Sequence, residues 1–307
     1  MVPKVLVLLG PTASGKTALG LLLAQALSAE IVSADSMLVY KGMDIGTAKP
    51  SPEERALVPH HLIDLLTPDQ PYSAGAFQKD ADKVIGELVQ RGKVPLLLGG
   101  THLYLKALVE GLVALPATDP ALKAQLYERL AQTGVAPLYR ELCALDPQGA
   151  AALHPQDSAR VTRALEVRLS TGKSILSWQA EHGFGEQRYR PFYLAIHWER
   201  EELYQRIDRR TELMVQKGLV EETRGLLDQG YNPKLPSLQS IGYGQAVEYL
   251  AGRLSHSGMT RLIQQKSRRY AKKQLTWAKS IPSLHWTEPG LPAPSLLDSL
   301  NRFFDRP

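Results

Sequence analysis

The residues most able to do chemistry lie near the start of the chain. Gly10, Pro11, Thr12, Ala13, Ser14, Gly15, Lys16 and Thr17 spell GPTASGKT, which fits G-x-x-x-x-G-K-[ST] at every fixed position. In such a loop, backbone N–H groups and a helix N-terminus cradle phosphate oxygens; the Lys adds charge, and the Thr hydroxyl can ligate Mg²⁺. Nucleoside triphosphatases also need a carboxylate ending an apolar strand to help hold that metal. Here the strongest later apolar run, VPLLLGGT, ends in Gly99-Gly100-Thr101 instead, and the carboxylate that follows a strand-like run is Asp35. Phosphate binding follows from the loop, while the owner of the phosphate stays open.

Other candidates depend on spacing. Leu203, Ile207, Arg210 and Met214 are separated by 4, 3 and 4 residues, which on a helix places them within a stripe roughly 60° wide. A guanidinium on an apolar stripe needs an anionic partner, either a carboxylate or a ligand. From Tyr249 to Thr287 there is no Asp or Glu. Within that stretch Arg261, Arg268, Lys272 and Lys279 fall within roughly 40° of one another on a helix, opposite Ile263, Tyr270 and Trp277. One side can meet phosphates while the other packs, so a polyanionic partner is expected. His60, His61 and Asp64 resemble a metal set, but adjacent histidines point to opposite sides of a strand, and structural roles are expected. The single cysteine, Cys143, is expected to be a small buried residue.

The elements that must position these groups alternate. Pro3 to Leu9, Glu30 to Asp35 and Val94 to Leu98 read as buried strands; Thr17 to Ser28 and Phe77 to Gln90 read as helices. Such alternation predicts an α/β fold with a parallel sheet, whose ligands bind at the carboxyl ends of the strands. The loop, Asp35 and Thr101 all fall at such ends. Asp35 also opens a polar run, Asp35-Ser36 and then Tyr40 through Pro50, that is expected to wall a substrate. Past Gly111 the stretches Leu122 to Gln132, Pro137 to Leu145 and Ser158 to Thr171 are helix-like and separated by Pro, Gly and Asp. The division expected is therefore a core over residues 1–112, a helical insertion over 113–190 and a return to the core over 191–307. Phe192 to Ile196 supplies a returning strand, followed by helices from Glu201 to Lys217 and from Met259 to Lys279; the apolar segment around Leu296 to Phe304 is expected to pack at the surface. A chain of 307 residues with 44% apolar content, net charge +5 and a short N-terminal apolar run fits a folded cytoplasmic enzyme.

GPTASGKT, DSMLVYKGMDIGTAKP, HHLID, YSAGAFQKDA, LLLGGTHLYLKAL, HPQDSARVTRALEV, the I-D-x-R-x-x-x-M of Ile207 to Met214, SIGY and YAKKQLTW occur in this order along nearly the whole chain. Together they resemble the tRNA dimethylallyltransferases, the tRNA isopentenyltransferase family. The resemblance implies a P-loop NTPase-like core with a helical anticodon-binding insertion. It implies that the loop grips the pyrophosphate of dimethylallyl diphosphate, with Mg²⁺ at Thr17. It further implies that the isoprenoid passes to the exocyclic amino group of the adenosine 3′ of the anticodon, releasing pyrophosphate.

By the same resemblance Asp35 is the candidate base at that amine, Thr101 lies near the amine or the bridging oxygen, and Arg210 clamps the leaving group beside Lys16. Contacts to the tRNA anticodon stem-loop are expected from Asp35, Ser36, Met37, Leu38, Thr101, Lys123, Ala159, Arg160, Val161, Thr162, Arg163, Gly242, Tyr243, Arg268 and Lys272. Two positions depart from the pattern: His102 stands where Gly is common, and Leu38 where many relatives have Gln, so base readout is not assigned to that side chain. A monomer that binds one tRNA and no membrane is the expectation. Two rivals stand beside this reading: a P-loop kinase of a small metabolite or nucleotide, which the α/β pattern alone permits, and a non-catalytic RNA-binding module with a relic P-loop, against which the intact Gly15-Lys16-Thr17, Asp35 and Thr101 weigh.

Overall fold

The computed structural model describes residues 2–113, 115, 116, 119–182 and 188–305. The chain forms two compact units. One comprises Met1–Val109 and Arg188–Pro307, the other Glu110–Gln187.

The first unit opens with β1 (Lys4–Leu9), α1 (Lys16–Ala26), β2 (Ala29–Ser33), α2 (Pro52–Leu57), β3 (His60–His61), α3 (Ala74–Gln90), β4 (Val94–Leu98) and α4 (His102–Glu110). The second unit, whose first residue ends α4, holds α5 (Pro120–Thr133), α6 (Val135–Leu145), α7 (Pro147–Ala151), α8 (Ser158–Thr171) and α9 (Ile175–His182). The chain then returns to the first unit through β5 (Arg190–Ile196), α10 (Arg200–Gln216), α11 (Leu219–Asp228), α12 (Tyr243–Leu250), α13 (His256–Ala278), β6 (Leu284–Thr287) and α14 (Pro294–Phe303).

Among the described residues the strands form one six-stranded parallel sheet in the order β3-β2-β4-β1-β5-β6. Both faces are covered, which explains why the strands read as unbroken apolar runs. Val5, Val7 and Leu9 pack with Phe77, Ile85 and Leu88 of α3 and Tyr104, Leu105 and Leu108 of α4. The alternate residues Leu6 and Leu8 pack with Leu19 and Leu23 of α1 and with Leu300 of α14. The C-terminal segment is thus a helix closing the second face of the sheet, with Leu300 fully buried.

The chain leaves β1 toward β2 and β4 on one side and reaches β5 on the other, so the sheet reverses its strand order at β1. Ligands of open α/β sheets bind at such a point, outside the carboxyl ends. The turn after β4 lies tight against the end of β2: a Cβ on Gly99 would stand 2.2 Å from the Ala34 carbonyl oxygen. That contact excludes a side chain at position 99 and draws the Asp35 and Gly100 segments together.

In the second unit Leu126, Leu138, Leu142, Val161 and Leu165 form a small separate core. α8 is capped by Asp157, whose carboxylate accepts from the Arg160 N–H, and ends at Gly172 with φ of 70°. Cys143 is half-buried against this core instead of fully enclosed.

Candidate active site

The loop after β1 begins the site. Gly15 has φ of 87°, a conformation that suits glycine, and Ala13 is held at φ of 65°. The loop therefore turns sharply enough to start α1 at Lys16. Ser14 Oγ is buried with no partner among the described residues, and a phosphate oxygen would satisfy it. Lys16 folds back so that Nζ donates to the carbonyls of Gly10 and Pro11, both at 2.8 Å.

A cavity of about 680 Å³ opens beside this loop. Thr12 to Thr17 form one wall and the Asp35 to Leu38 turn another; Gly46 to Ala48, Leu98 to Gly100, Ser240, Ile241, Tyr243 and residues of α10 and α13 complete it. Burial, with the nearby Arg210 charge, lowers the Lys16 pKa to about 8, and Asp35 opposes that drop. Burial also works against the charge on Arg210, and Asp35 favours it. Arg210 Nη2 donates to the Thr47 carbonyl at 3.3 Å. Its neighbours on the predicted stripe, Leu203, Ile207 and Met214, are all buried. Asp35 spends one oxygen on a turn, accepting from the Met37 N–H at 2.8 Å.

Thr101 does not line the cavity. Its hydroxyl oxygen accepts from the Ser36 N–H at 3.1 Å, which fixes the Asp35-Ser36 turn from behind. Gly10, Pro11 and Gly242 also lie outside the lining, whereas Tyr243 is on it, fully buried.

Several residues that hold this site went unassigned from sequence. Gln274 of α13 accepts from the Thr12 N–H at 2.9 Å and donates to the Gly100 carbonyl at 3.0 Å, tying the β1 loop to the turn after β4. It sits on the same side of α13 as Tyr270 and Trp277, and a polar residue on that apolar side was the available signal. Glu222 accepts from the N–H groups of Asp44, Ile45 and Gly46 and from the Tyr243 hydroxyl at 2.5 Å, fastening the wall that carries Thr47.

His60 Nδ1 meets the Val58 carbonyl at 2.8 Å, while its Nε2 is buried with no partner among the described residues. His61 Nε2 meets Glu30, which also takes a bidentate contact from Arg91, and Asp64 accepts from Lys49 and Arg55. Among the described residues no group of three or more His, Cys, Asp or Glu side chains is placed to hold a metal.

Of the residues expected at RNA, Lys272 is exposed on α13, but Arg268 is paired with Asp208 of α10. The acid missing from the local sequence comes from a neighbouring helix. In the second unit Lys123, Ala159 and Arg160 are exposed, and Arg163 binds the buried Glu166 at 2.6 Å. Val161 and Thr162 have buried side chains, Val161 in the core of that unit, so any contact they make with RNA falls to the backbone.

A sequence profile described as IPP transferase matches residues 38–281. The chain is 47% identical to the tRNA dimethylallyltransferase of Geobacter sulfurreducens over 93% of its own length and 92% of that protein. It is 45% identical to that of Geobacter metallireducens over 98% and 97%. Among solved structures, the full-length tRNA isopentenylpyrophosphate transferase of Bacillus halodurans superposes with a TM-score of 0.73 at 35% identity, covering 99% of this chain and 97% of that one. A eukaryotic dimethylallyltransferase described as acting on tRNA gives 0.82 at 27% identity, covering 99% and 80%. With a profile over most of the sequence and relatives this similar almost end to end, the chain belongs to the IPP transferase family.

Proposed function

We propose that this protein is a tRNA dimethylallyltransferase that moves the dimethylallyl group of dimethylallyl diphosphate to the exocyclic amino group of the adenosine 3′ of the anticodon, releasing diphosphate. The cavity itself carries this conclusion: phosphate-binding N–H groups, Lys16 and Arg210 meet Asp35 across a space also walled by Met37, Leu38, Ile207, Met214 and Ile263. Cations suit the diphosphate, apolar side chains the isoprenoid, and a carboxylate the amine.

In the reaction the amine nitrogen bonds to the allylic C1 while the C1–O bond breaks and its electron pair goes to the diphosphate. Lys16, Arg210 and the loop N–H groups stabilise the charge that develops on the leaving oxygen. Asp35, through the oxygen not used in its turn, takes the proton that the amine gives up. Thr101 acts through Ser36, holding the Asp35 turn in register.

Magnesium fits the donor chemistry. Thr17 offers a hard hydroxyl oxygen on the cavity wall, and Mg²⁺ usually binds through few protein oxygens together with substrate phosphates and water. Thr17 would hold the ion, which would neutralise part of the diphosphate charge.

The insertion offers exposed Lys123, Ala159 and Arg160, with Arg163 one turn after Arg160 on α8, to the anticodon stem-loop, and the target base must leave its stack to be modified. Among the described residues no helix is long and apolar enough to cross a membrane; the enzyme is taken to act in the cytoplasm as a monomer.

Mass spectrometry of unmodified tRNA incubated with the protein, Mg²⁺ and dimethylallyl diphosphate tests this function, with ATP consumption followed in parallel. The expected result is a prenyl increment on the adenosine 3′ of the anticodon without ATP turnover. Phosphoryl transfer from ATP with unmodified tRNA would replace this function with a kinase.

A further inference from the structure

The loop after β1 is gripped by two side chains. Trp198 Nε1 donates to the Ser14 carbonyl at 2.9 Å, and Arg206 Nε donates to the Ala13 carbonyl at 2.9 Å. The two are stacked, with the Arg206 guanidinium carbon 4.3 Å from the Trp198 ring centroid. Ala13 itself packs on this side, beside Leu203, Ile207 and Trp198. A peptide carbonyl and the N–H of the next residue point in opposite directions. Turning the Ser14 carbonyl toward Trp198 therefore turns the Gly15 N–H away from it.

Arg206 has no carboxylate within ion-pair distance among the described residues, and it lies on the cavity wall. Its Nε is engaged, while Nη2 would stand 3.7 Å from a Cβ built on Gly15, the residue that precedes α1. Arg206 is exposed, so solvent screens the repulsion it meets beside the positive end of a helix, with Lys16 and Arg210 in the same cavity, and an arriving anion relieves what is left. The Trp198 face partly offsets that cost and fixes the plane of the fork.

We propose that Arg206 is a second guanidinium ligand of the diphosphate, oriented by Trp198 and the Ala13 carbonyl. Arg210 and Arg206 then receive the leaving group from two successive turns of α10, four residues apart. The inference rests on the diphosphate-binding function above and deepens it. Trp198 is a positioning residue.

Calorimetric titration of the full-length protein with inorganic pyrophosphate, at several salt concentrations, tests it directly. Arg206→Gln should weaken binding by about 10- to 100-fold, as expected for loss of a charge-assisted contact, and flatten the salt dependence. Arg206→Lys should recover part of both. Arg206→Gln should also raise KM for dimethylallyl diphosphate in the transfer assay. A purely structural role for Arg206 would leave the salt dependence unchanged. Native affinity in Arg206→Gln, or an unaltered salt slope in a variant whose melting matches the native protein, would overturn the proposal while leaving prenyl transfer intact. Failure of the native protein to bind pyrophosphate would instead remove both this inference and the function it rests on.

Discussion

Two sets of cations in this protein are held in opposite ways. Lys16 and Arg210 stand on a cavity wall where burial works against their charges and Asp35 supports them. Arg261, Lys266, Arg269, Lys272 and Lys273 stand exposed along α13, and Lys279 just past its end. In the first set each charge has a fixed geometry and a large individual effect, because a partly desolvated charge interacts strongly with whatever anion reaches it. In the second, water and salt screen every charge, and an effect accumulates only by number. The few buried groups are suited to chemistry and the many exposed ones to attraction of a polyanion.

Removing the acid that supports the buried set should give the largest effect. Asp35→Asn keeps an oxygen for the Met37 N–H and so preserves the turn, but it cannot take the proton from the amine. The transfer rate in single-turnover assays should fall by about 10²- to 10⁴-fold, with tRNA affinity unchanged in filter binding. Substantial residual transfer would show that the buried set works without its carboxylate.

Arg210→Gln comes next. It should lower kcat/KM for dimethylallyl diphosphate by about 10²- to 10³-fold, the scale of losing one fixed donor at a developing oxyanion. Its effect on tRNA binding should be negligible. If instead it weakened tRNA binding and spared turnover, the contrast between the two sets of cations would collapse.

The buried set should also respond to pH where the exposed set does not. Burial lowers the Lys16 pKa from 10.5 to about 8, so it is charged below pH 8 and increasingly neutral above it. Diphosphate prefers the charged form and brings the negative charge that restores it. Binding above pH 8 must therefore take up a proton, and affinity should fall with a limiting slope of about tenfold per pH unit. Titration of pyrophosphate from pH 7 to 9.5, in buffers of different ionisation enthalpy, measures both. Lys16→Met should remove the slope along with much of the affinity.

What the sequence showed, and what it hid, follows the range of the interactions. The β1 loop, the strands and the Leu203–Ile207–Arg210–Met214 stripe are written in neighbouring residues, because a loop conformation and a helix face are local properties. The contacts that assemble the site are not local. Gln274 reaches Thr12 and Gly100, Glu222 reaches the backbone of residues 44–46, and Asp208 neutralises Arg268 from another helix. No spacing rule joins such pairs. Thr101 shows the same limit within one motif: its place after β4 was legible, but its role behind Ser36 depends on where β2 lies in the sheet. Val161 and Thr162 sit in a motif with exposed neighbours, and only the packing of α8 shows that they face inward.

The smallest expected effect belongs to the exposed set, where it is also the most specific. Lys272 is exposed on α13, whereas Arg268, one turn earlier, is paired with Asp208. A charge that releases a counterion from RNA contributes a slope of just under one to log K against log salt. A charge already neutralised by its own carboxylate contributes less. Lys272→Ala should therefore reduce the salt slope of tRNA binding by about 0.7 to 0.9, leaving transfer at saturating tRNA unchanged. Arg268→Ala should change the slope less. An equal loss from both variants would mean that the Asp208 pair opens when RNA binds, and the distinction between paired and exposed cations on α13 would then hold only for the free protein.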